Sequence, residues 1–271
     1  MMASETARSK VIAITSGKGG VGKTNIASNL SICFAANNKK VVLFDADLGL
    51  GNVDVVINAD SNYNLTHVLS GYKTLEEVIT LAPGGVETIC GGSGVEELAN
   101  ISPFQLQRLL DDFEALQNNS DIIVIDTGAG IHNSTISFCQ AADHVLVVTT
   151  PEPASMTDAY AMIKVLASRG YPGQISLVVN MASSIAEGKR IYRQISQVTM
   201  RFLNIQIYEA GIILKTEKLV ASVRKRHPVV LNYPKSRITA DFVSMAARLS
   251  KTPVKRNEHE SFFRKVVNLF L

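Results

Sequence analysis

The chain has 271 residues, 46% of them hydrophobic, with 27 Lys and Arg against 24 Asp and Glu and a formal net charge of +3 at pH 7. That length buries a large core in one α/β domain, the charge neither demands nor rules out nucleic acid or anionic lipid as a partner, and no stretch approaches the ~20 apolar residues of a membrane span. Cys33, Cys90 and Cys139 stand at wide spacings without a CxxC, which excludes a disulfide framework and a zinc site and fits a reducing cytoplasm.

Residues 1–10 form a polar arm without the apolar core of a signal peptide, so a cytoplasmic protein is expected. From there to about residue 250, apolar runs alternate with helical patterns. This is the sequence form of a single α/β domain, a mostly parallel twisted sheet of seven or eight strands with helices on both faces. The runs predict strands over 11–15, 40–44, 88–90, 122–125, 144–149, 176–179 and 206–209. The helical patterns cover 23–36, 74–80, 103–117, 135–141, 154–168, 185–199, 216–223 and 237–248.

The first strand leads into Gly17-Lys-Gly-Gly-Val-Gly-Lys-Thr24, which has the spacing GxxxxGK[ST] between a strand and a helix. Gly17, Gly19, Gly20 and Gly22, with Val21 between them, let backbone N–H groups surround phosphates, and the helix N-terminus adds its positive dipole. Lys23 is expected to reach the β- and γ-phosphates and Thr24 to hold Mg²⁺. The spacing neither needs nor explains Lys18.

The second strand ends in Phe44-Asp-Ala-Asp-Leu-Gly-Leu-Gly-Asn-Val-Asp54. Asp45 and Asp47, at i and i+2, can both point into a cleft at the strand end, one organising a metal shell and the other orienting a water. The fourth strand ends at Asp126, the position that meets Mg²⁺ in phosphate-loop enzymes. Gly128 and Gly130 give the next segment the freedom of a switch. All these motifs fall at carboxyl ends of strands, where ligands bind in such sheets.

After a polar linker at 251–260, residues 261–271 place Phe262, Phe263, Val266, Val267, Leu269, Phe270 and Leu271 on an arc of roughly 200° of a helix, opposite Arg264, Lys265 and Asn268. Two readings stand. The segment can lie in a lipid headgroup layer through Phe262, Phe263, Val266, Val267 and Phe270, or it can dock on its own domain or on a partner. A tail packed on the monomer and freed in a dimer would satisfy both, because two weak helices acting together bind a surface better than one.

The loop GKGGVGKT resembles the deviant phosphate loop of the MinD/ParA group of ATPases. That resemblance implies that Lys18 crosses a nucleotide-sandwich homodimer to the partner's phosphates, and that Lys18, Lys23 and Asp47 carry catalysis. It also implies that Asp47 positions the attacking water, that Thr24, Asp45 and Asp126 serve the Mg²⁺ region, and that Asn180 reads the adenine edge of ATP. A turn-forming role is the alternative for Asn180, which is followed here by Met181 where the family often has a basic residue. The family's usual DxPAG reads Asp126-Thr-Gly-Ala-Gly130, so Gly128 replaces a proline.

Asp-Ala-Asp-Leu-Gly-Leu-Gly-Asn-Val-Asp, Tyr63-Asn-Leu-Thr-His-Val-Leu-Ser-Gly71 and Gly91-Gly-Ser-Gly94 are most similar to FlhG proteins, also called FleN or YlxH. These are MinD-like ATPases that set flagellar number and position. The resemblance implies an ATP-dependent homodimer at the inner face of the cell membrane and slow hydrolysis of ATP. It further implies partnership with an FlhF-type GTPase and with a flagellar C-ring component or transcriptional regulator. Many members carry a Gln/Ala/Leu/Arg activator motif for that GTPase ahead of the domain, and residues 1–10 contain none. A division-site MinD and a ParA-type partitioning ATPase are the competing readings. In the latter, Lys189-Arg190 with Arg193 and Arg224-Lys-Arg-His227 would contact nucleic-acid phosphates. The apolar tail, which such a protein has no need of, weighs against a nucleic-acid partner.

Overall fold

The computed structural model describes residues 8–47, 51–92, 103–251 and 260–270. Residues 1–7, 48–50, 93–102, 252–259 and 271 lie outside them. So do parts of several features read above: the polar arm, the segments after Asp47 and after Gly92, the linker, and the last residue of the tail. The side chain of Phe270 is likewise not described.

The described strands are β1 Lys10–Ser16, β2 Val41–Ala46, β3 Thr80–Ala82, β4 Val86–Ile89, β5 Ile122–Ala129, β6 His144–Thr149, β7 Gln174–Ala182 and β8 Tyr208–Leu214. They form one sheet in the order β3-β4-β2-β5-β1-β6-β7-β8, parallel throughout except for the antiparallel β3–β4 pair. Alternation along each strand explains the unbroken apolar runs. Val11, Val42, Phe44, Ile123, Ile125, Val145 and Val147 feed one core, whereas Ile12, Ile14, Val41, Leu43, Val124, Leu146 and Val148 feed the other.

The described helices are α1 Lys23–Ala35, α2 Val53–Ile57, α3 Leu65–Leu69, α4 Leu75–Val78, α5 Pro103–Asn118, α6 Asn133–Ala141, α7 Pro153–Ser168, α8 Ile185–Leu203, α9 Glu217–Arg224, α10 Val229–Asn232, α11 Arg237–Lys251 and α12 Phe262–Phe270. Helices α3 to α8 and α12 cover the first core, and α1, α2, α10 and α11 cover the second.

Several elements differ from the sequence expectation. The helix expected over 74–80 starts at a Thr74/Glu77 capping box but stops at Val78, where Ile79 turns extended and Thr80 enters β3. Strand β8 extends to Leu214, well beyond the expected 206–209. Gly211 lies under α11, where a Cβ would make ordinary van der Waals contact with the Met245 sulfur at 3.4 Å. Strand β5 carries on to Ala129, which puts Asp126 and Gly128 inside the strand. The short helices α2, α3 and α10 have no periodic signal of their own.

The tail helix α12 is docked. Phe262, Phe263 and Val266 are buried in the first core, and Val267 packs against it. The Phe263 ring stacks on Phe113 of α5 with centroids 3.8 Å apart and meets Phe44 of β2 edge-on at 5.7 Å. Phe262 lies 6.4 Å from Phe138 of α6. Polar groups fasten the start of the helix. Gln117 Oε1 accepts from the Phe262 N–H at 3.0 Å, and Arg8 donates to the Glu260 carbonyl at 2.7 Å. Arg264 lies within ion-pair distance of Asp111 and Glu114.

Candidate active site

The site forms at the carboxyl ends of β1, β2 and β5. Gly22 takes φ +92° at the N-cap of α1 and has no side chain to cap it, so the first-turn N–H groups and the helix dipole face the loop. Gly17 is needed for packing, since a Cβ would lie 2.2 Å from the Asp158 carbonyl oxygen of α7. The loop is tied to its base by a Ser16 hydroxyl donating to the Lys18 carbonyl at 2.7 Å, and by the Gly130 N–H donating to the Ser16 carbonyl at 2.9 Å.

Lys23 is buried at the floor of this loop. Burial lowers its pKa, opposed by the charges of Asp126 and Asp47. Asp45 and Asp126 are register partners on β2 and β5, which sets two carboxylates side by side in the core. Burial, then the neighbouring Asp45 charge, pushes Asp126 up to about 7, while a hydrogen bond from Thr24 and the charge of Lys23 pull the other way. Asp45 is pushed up to about 6 by burial, although its oxygens accept the Asp47 N–H at 3.0 Å and the Val53 N–H at 3.1 Å.

Asp126 Oδ1 is buried with no partner. An orphaned buried carboxylate oxygen beside a threonine hydroxyl and a phosphate loop fits a hard divalent cation. Among the described residues no three His, Cys, Asp or Glu side chains converge as in a protein-only metal cage. Mg²⁺ held by one or two carboxylates together with phosphates and water does not need one.

Sequence reasoning also placed Asp47 and Gly128 here, and the structure brings them together. A Cβ on Gly128 would lie 3.5 Å from Asp47 Oδ1. Gly130 adopts φ +88°, a left-handed conformation that suits glycine. Asn180 is brought to the loop as well, through its own chain rather than a ligand. Its Nδ2 donates to the Val21 carbonyl at 2.8 Å and its Oδ1 accepts from the Met181 N–H at 2.9 Å.

Three contributors were missed. Glu152, just ahead of α7, forms a 2.9 Å ion pair with Lys18, and both side chains are exposed. Its signal was available as an acid after β6, the strand next to β1. Gly51 and Gly91 pack on Asp45, where a Cβ would lie 2.6 Å from Oδ2 and 2.4 Å from the carbonyl oxygen respectively. The basic residues Lys189, Arg190, Arg193, Arg224, Lys225 and Arg226 are exposed on α8 and around the end of α9. The tail residues Phe262, Phe263 and Val266 face the protein core in this conformation, away from any lipid. No helix among the described residues is long and apolar enough to cross a membrane.

A family model described as an AAA domain matches residues 9–169. The antiactivator FleN of Pseudomonas aeruginosa is 38% identical over 94% of this chain and 91% of its own length. The flagellum site-determining protein YlxH of Helicobacter pylori is 39% identical over 80% of this chain and 74% of its own. The chain belongs to the FleN/YlxH (FlhG) branch of the MinD-like ATPases. The solved MinC:MinD cell division protein complex of Aquifex aeolicus contains a chain with 29% identity and a TM-score of 0.71, covering 92% of this chain and 99% of the other. Both the mostly parallel eight-stranded sheet and the phosphate loop at its carboxyl edge agree with that membership.

Proposed function

We propose that this ATPase is a nucleotide-controlled switch that dimerises with ATP, attaches peripherally to the cytoplasmic membrane and governs flagellar number or placement. The observation that carries the switch is the junction of site and tail. Phe44, against which Phe263 packs, is followed directly by Asp45, and α6, against which Phe262 packs, follows the Gly128–Gly130 segment.

In this mechanism the loop N–H groups and Lys23 bind the β- and γ-phosphates. Thr24 and Asp126 would hold Mg²⁺, which would neutralise charge on the phosphate oxygens, with Asp45 supporting them from the neighbouring strand. Asp47 orients the attacking water. Lys18 leaves Glu152 and reaches the nucleotide of a second copy, so that dimerisation and completion of the site are one event. Movement around Asp47 and Gly128 is passed along β2 and α6 to the aromatic cluster and loosens α12. The freed helix offers Phe262, Phe263, Val266, Val267 and Phe270 to lipid, with Arg264 and Lys265 at anionic headgroups. An FlhF-type GTPase, a C-ring component or a transcriptional regulator would read the dimer. The FleN and YlxH names of the relatives support the flagellar assignment over division-site placement.

The test is cosedimentation of Asp47→Ala protein with anionic liposomes in ATP and in ADP, beside the same protein ending at Asn257, with sedimentation velocity on Lys18→Ala. ATP-dependent binding that vanishes with the tail, and loss of the ATP dimer in Lys18→Ala, are expected. Equal lipid binding in both nucleotides would sink the switch, and a Lys18→Ala protein that still dimerises would refute the crossing lysine.

A further inference from the structure

Gly128 occupies the place of the proline in DxPAG, and strand register fixes what faces it. Asp45 pairs with Asp126 and Ala46 with Thr127 across β2 and β5, so Asp47 comes next, opposite Gly128. Between β1 and β5 the register slips. Ile14 faces Asp126 but Ser16 faces Ala129, so Thr127 and Gly128 together stand opposite Thr15. The Thr127 hydroxyl donates to the Ile14 carbonyl at 3.0 Å, and the Gly130 N–H to the Ser16 carbonyl at 2.9 Å. Gly128 is thereby held at a set place relative to the strand that feeds the phosphate loop.

Thr135, in the first turn of α6, reaches the same place from a third element and is 4% exposed. From the point where a Gly128 Cβ would stand, Asp47 Oδ1 is 3.5 Å away and Thr135 Oγ1 is 3.6 Å away. These are ordinary contact distances, so a methyl group would fit there without a clash. A glycine leaves the place to a molecule the size of water, bordered by a carboxylate that accepts and a hydroxyl that accepts or donates.

We infer that Thr135 is a second positioning residue for the attacking water, which it holds together with Asp47 over Gly128. The inference rests on the reading of Asp47 as the residue that orients that water. A single hydrogen bond to Asp47 leaves the water free to turn about that bond, and a second one to Thr135 fixes the direction of its lone pair. In the step itself the water oxygen forms a bond to the γ-phosphorus while the bond from phosphorus to the β–γ bridging oxygen breaks. The electron pair of that bond leaves with ADP, and the proton of the water passes to the phosphate produced. Thr135 acts through its hydroxyl, and its methyl group only packs.

The test is ATP turnover at saturating Mg-ATP, with calorimetric titration of Mg-ADP, for wild type, Thr135→Val, Thr135→Ser, Gly128→Ala and Asp47→Ala. The isosteric Thr135→Val is expected to lower kcat about 3- to 10-fold, the effect of one lost hydrogen bond, with KM and Mg-ADP affinity unchanged. Thr135→Ser keeps the hydroxyl and is expected to restore kcat to within about 2-fold of wild type. Gly128 is outside the left-handed region, so Gly128→Ala tolerates its backbone; its methyl group takes the place of the water, and kcat is expected to fall at least as far. Wild-type kcat in Thr135→Val, a serine variant as slow as the valine one, or a parallel loss of Mg-ADP binding would overturn the inference while leaving Asp47 in its role. Wild-type turnover in Asp47→Ala would sink the reading of Asp47 and this inference with it.

Discussion

The two edges of the sheet both bury ionisable groups but compensate them in different ways. At the amino edge the protein supplies most of the partners, although His144 Nδ1 is buried with none. The Lys10 ammonium donates to the Leu249 carbonyl, Asp143 accepts the Val11 N–H at 2.8 Å, and His144 Nε2 pairs with the Ser176 hydroxyl at 2.8 Å. At the carboxyl edge Asp45 and Asp126 stand side by side with raised pKa values, and Asp126 Oδ1 has no protein partner. Buried charge that the fold satisfies is structural, whereas buried charge that it leaves for a cation and phosphates is a binding site.

The largest break in that comparison is Asp126→Asn. Removing the carboxylate proposed to hold the metal is expected to weaken Mg-ADP at least about 100-fold, since metal-side charge stabilisation supplies several kcal/mol. The same change should stabilise the ligand-free fold. A carboxyl pushed up to about 7 holds a proton in the native state that the unfolded chain releases near pH 4. Native protein therefore binds more protons across that window, and stability falls as pH rises through it. The ligand-free variant should melt above wild type at pH 8 and together with it at pH 5. A melting point below wild type at pH 8 would mean that the fold, and not the ligand, compensates Asp126.

Next in size is the tail. Phe263→Ala removes a ring stacked on Phe113 in a fully packed setting and is expected to destabilise docking of α12 by about 3–5 kcal/mol. Proteolysis after Arg264 or Lys265 reads this directly, because a docked helix resists cleavage and a freed one does not. Nucleotide-independent liposome binding by the variant would mark α12 as the membrane element, and resistance equal to wild type would show that Phe263 does not hold it.

At the amino edge the sign of the pH effect reverses. Burial lowers His144 to about 4. The unfolded chain then binds the extra proton between pH 6.5 and 4, so the stabilisation is complete above about 6.5 and is lost as pH falls through 4. That displacement corresponds to roughly 3 kcal/mol as an order of magnitude. Denaturant titrations of His144→Gln should show a shallower loss of stability from pH 7 to 4 than wild type, and parallel curves would remove His144 from the acid response.

How far the sequence reached follows the same division. Strands such as β1, β2 and β5 are buried on both faces and so appear directly as apolar runs, and Lys23 after β1, Asp45 near the end of β2 and Asp126 within β5 were legible by local spacing alone. Pairings set by the fold were not. Asn180 meets Val21 across 159 residues, and Lys18 meets Glu152 across 134, distances over which no periodicity carries information. The tail shows the intermediate case. Its apolar face was readable from helical spacing, but the surface receiving it, built from Phe44, Phe113 and Phe138, exists only once β2, α5 and α6 are assembled.

The smallest expected effect concerns the Lys18–Glu152 pair. Both side chains are exposed, at 43% and 66%, and water screens such a contact, so a surface ion pair of this kind contributes little to stability. Glu152→Gln should leave the melting temperature within about 1 °C of wild type. That weakness would suit a lysine that exchanges partners, as proposed for Lys18. A buried, hydrogen-bonded contact like those at the amino edge would hold Lys18 in its own subunit, whereas a solvated one would let it move to a partner's phosphates at small cost, as proposed above. A large drop in melting temperature on Glu152→Gln would show that the pair is a structural tie, and Lys18 could then not be the mobile element that joins two subunits.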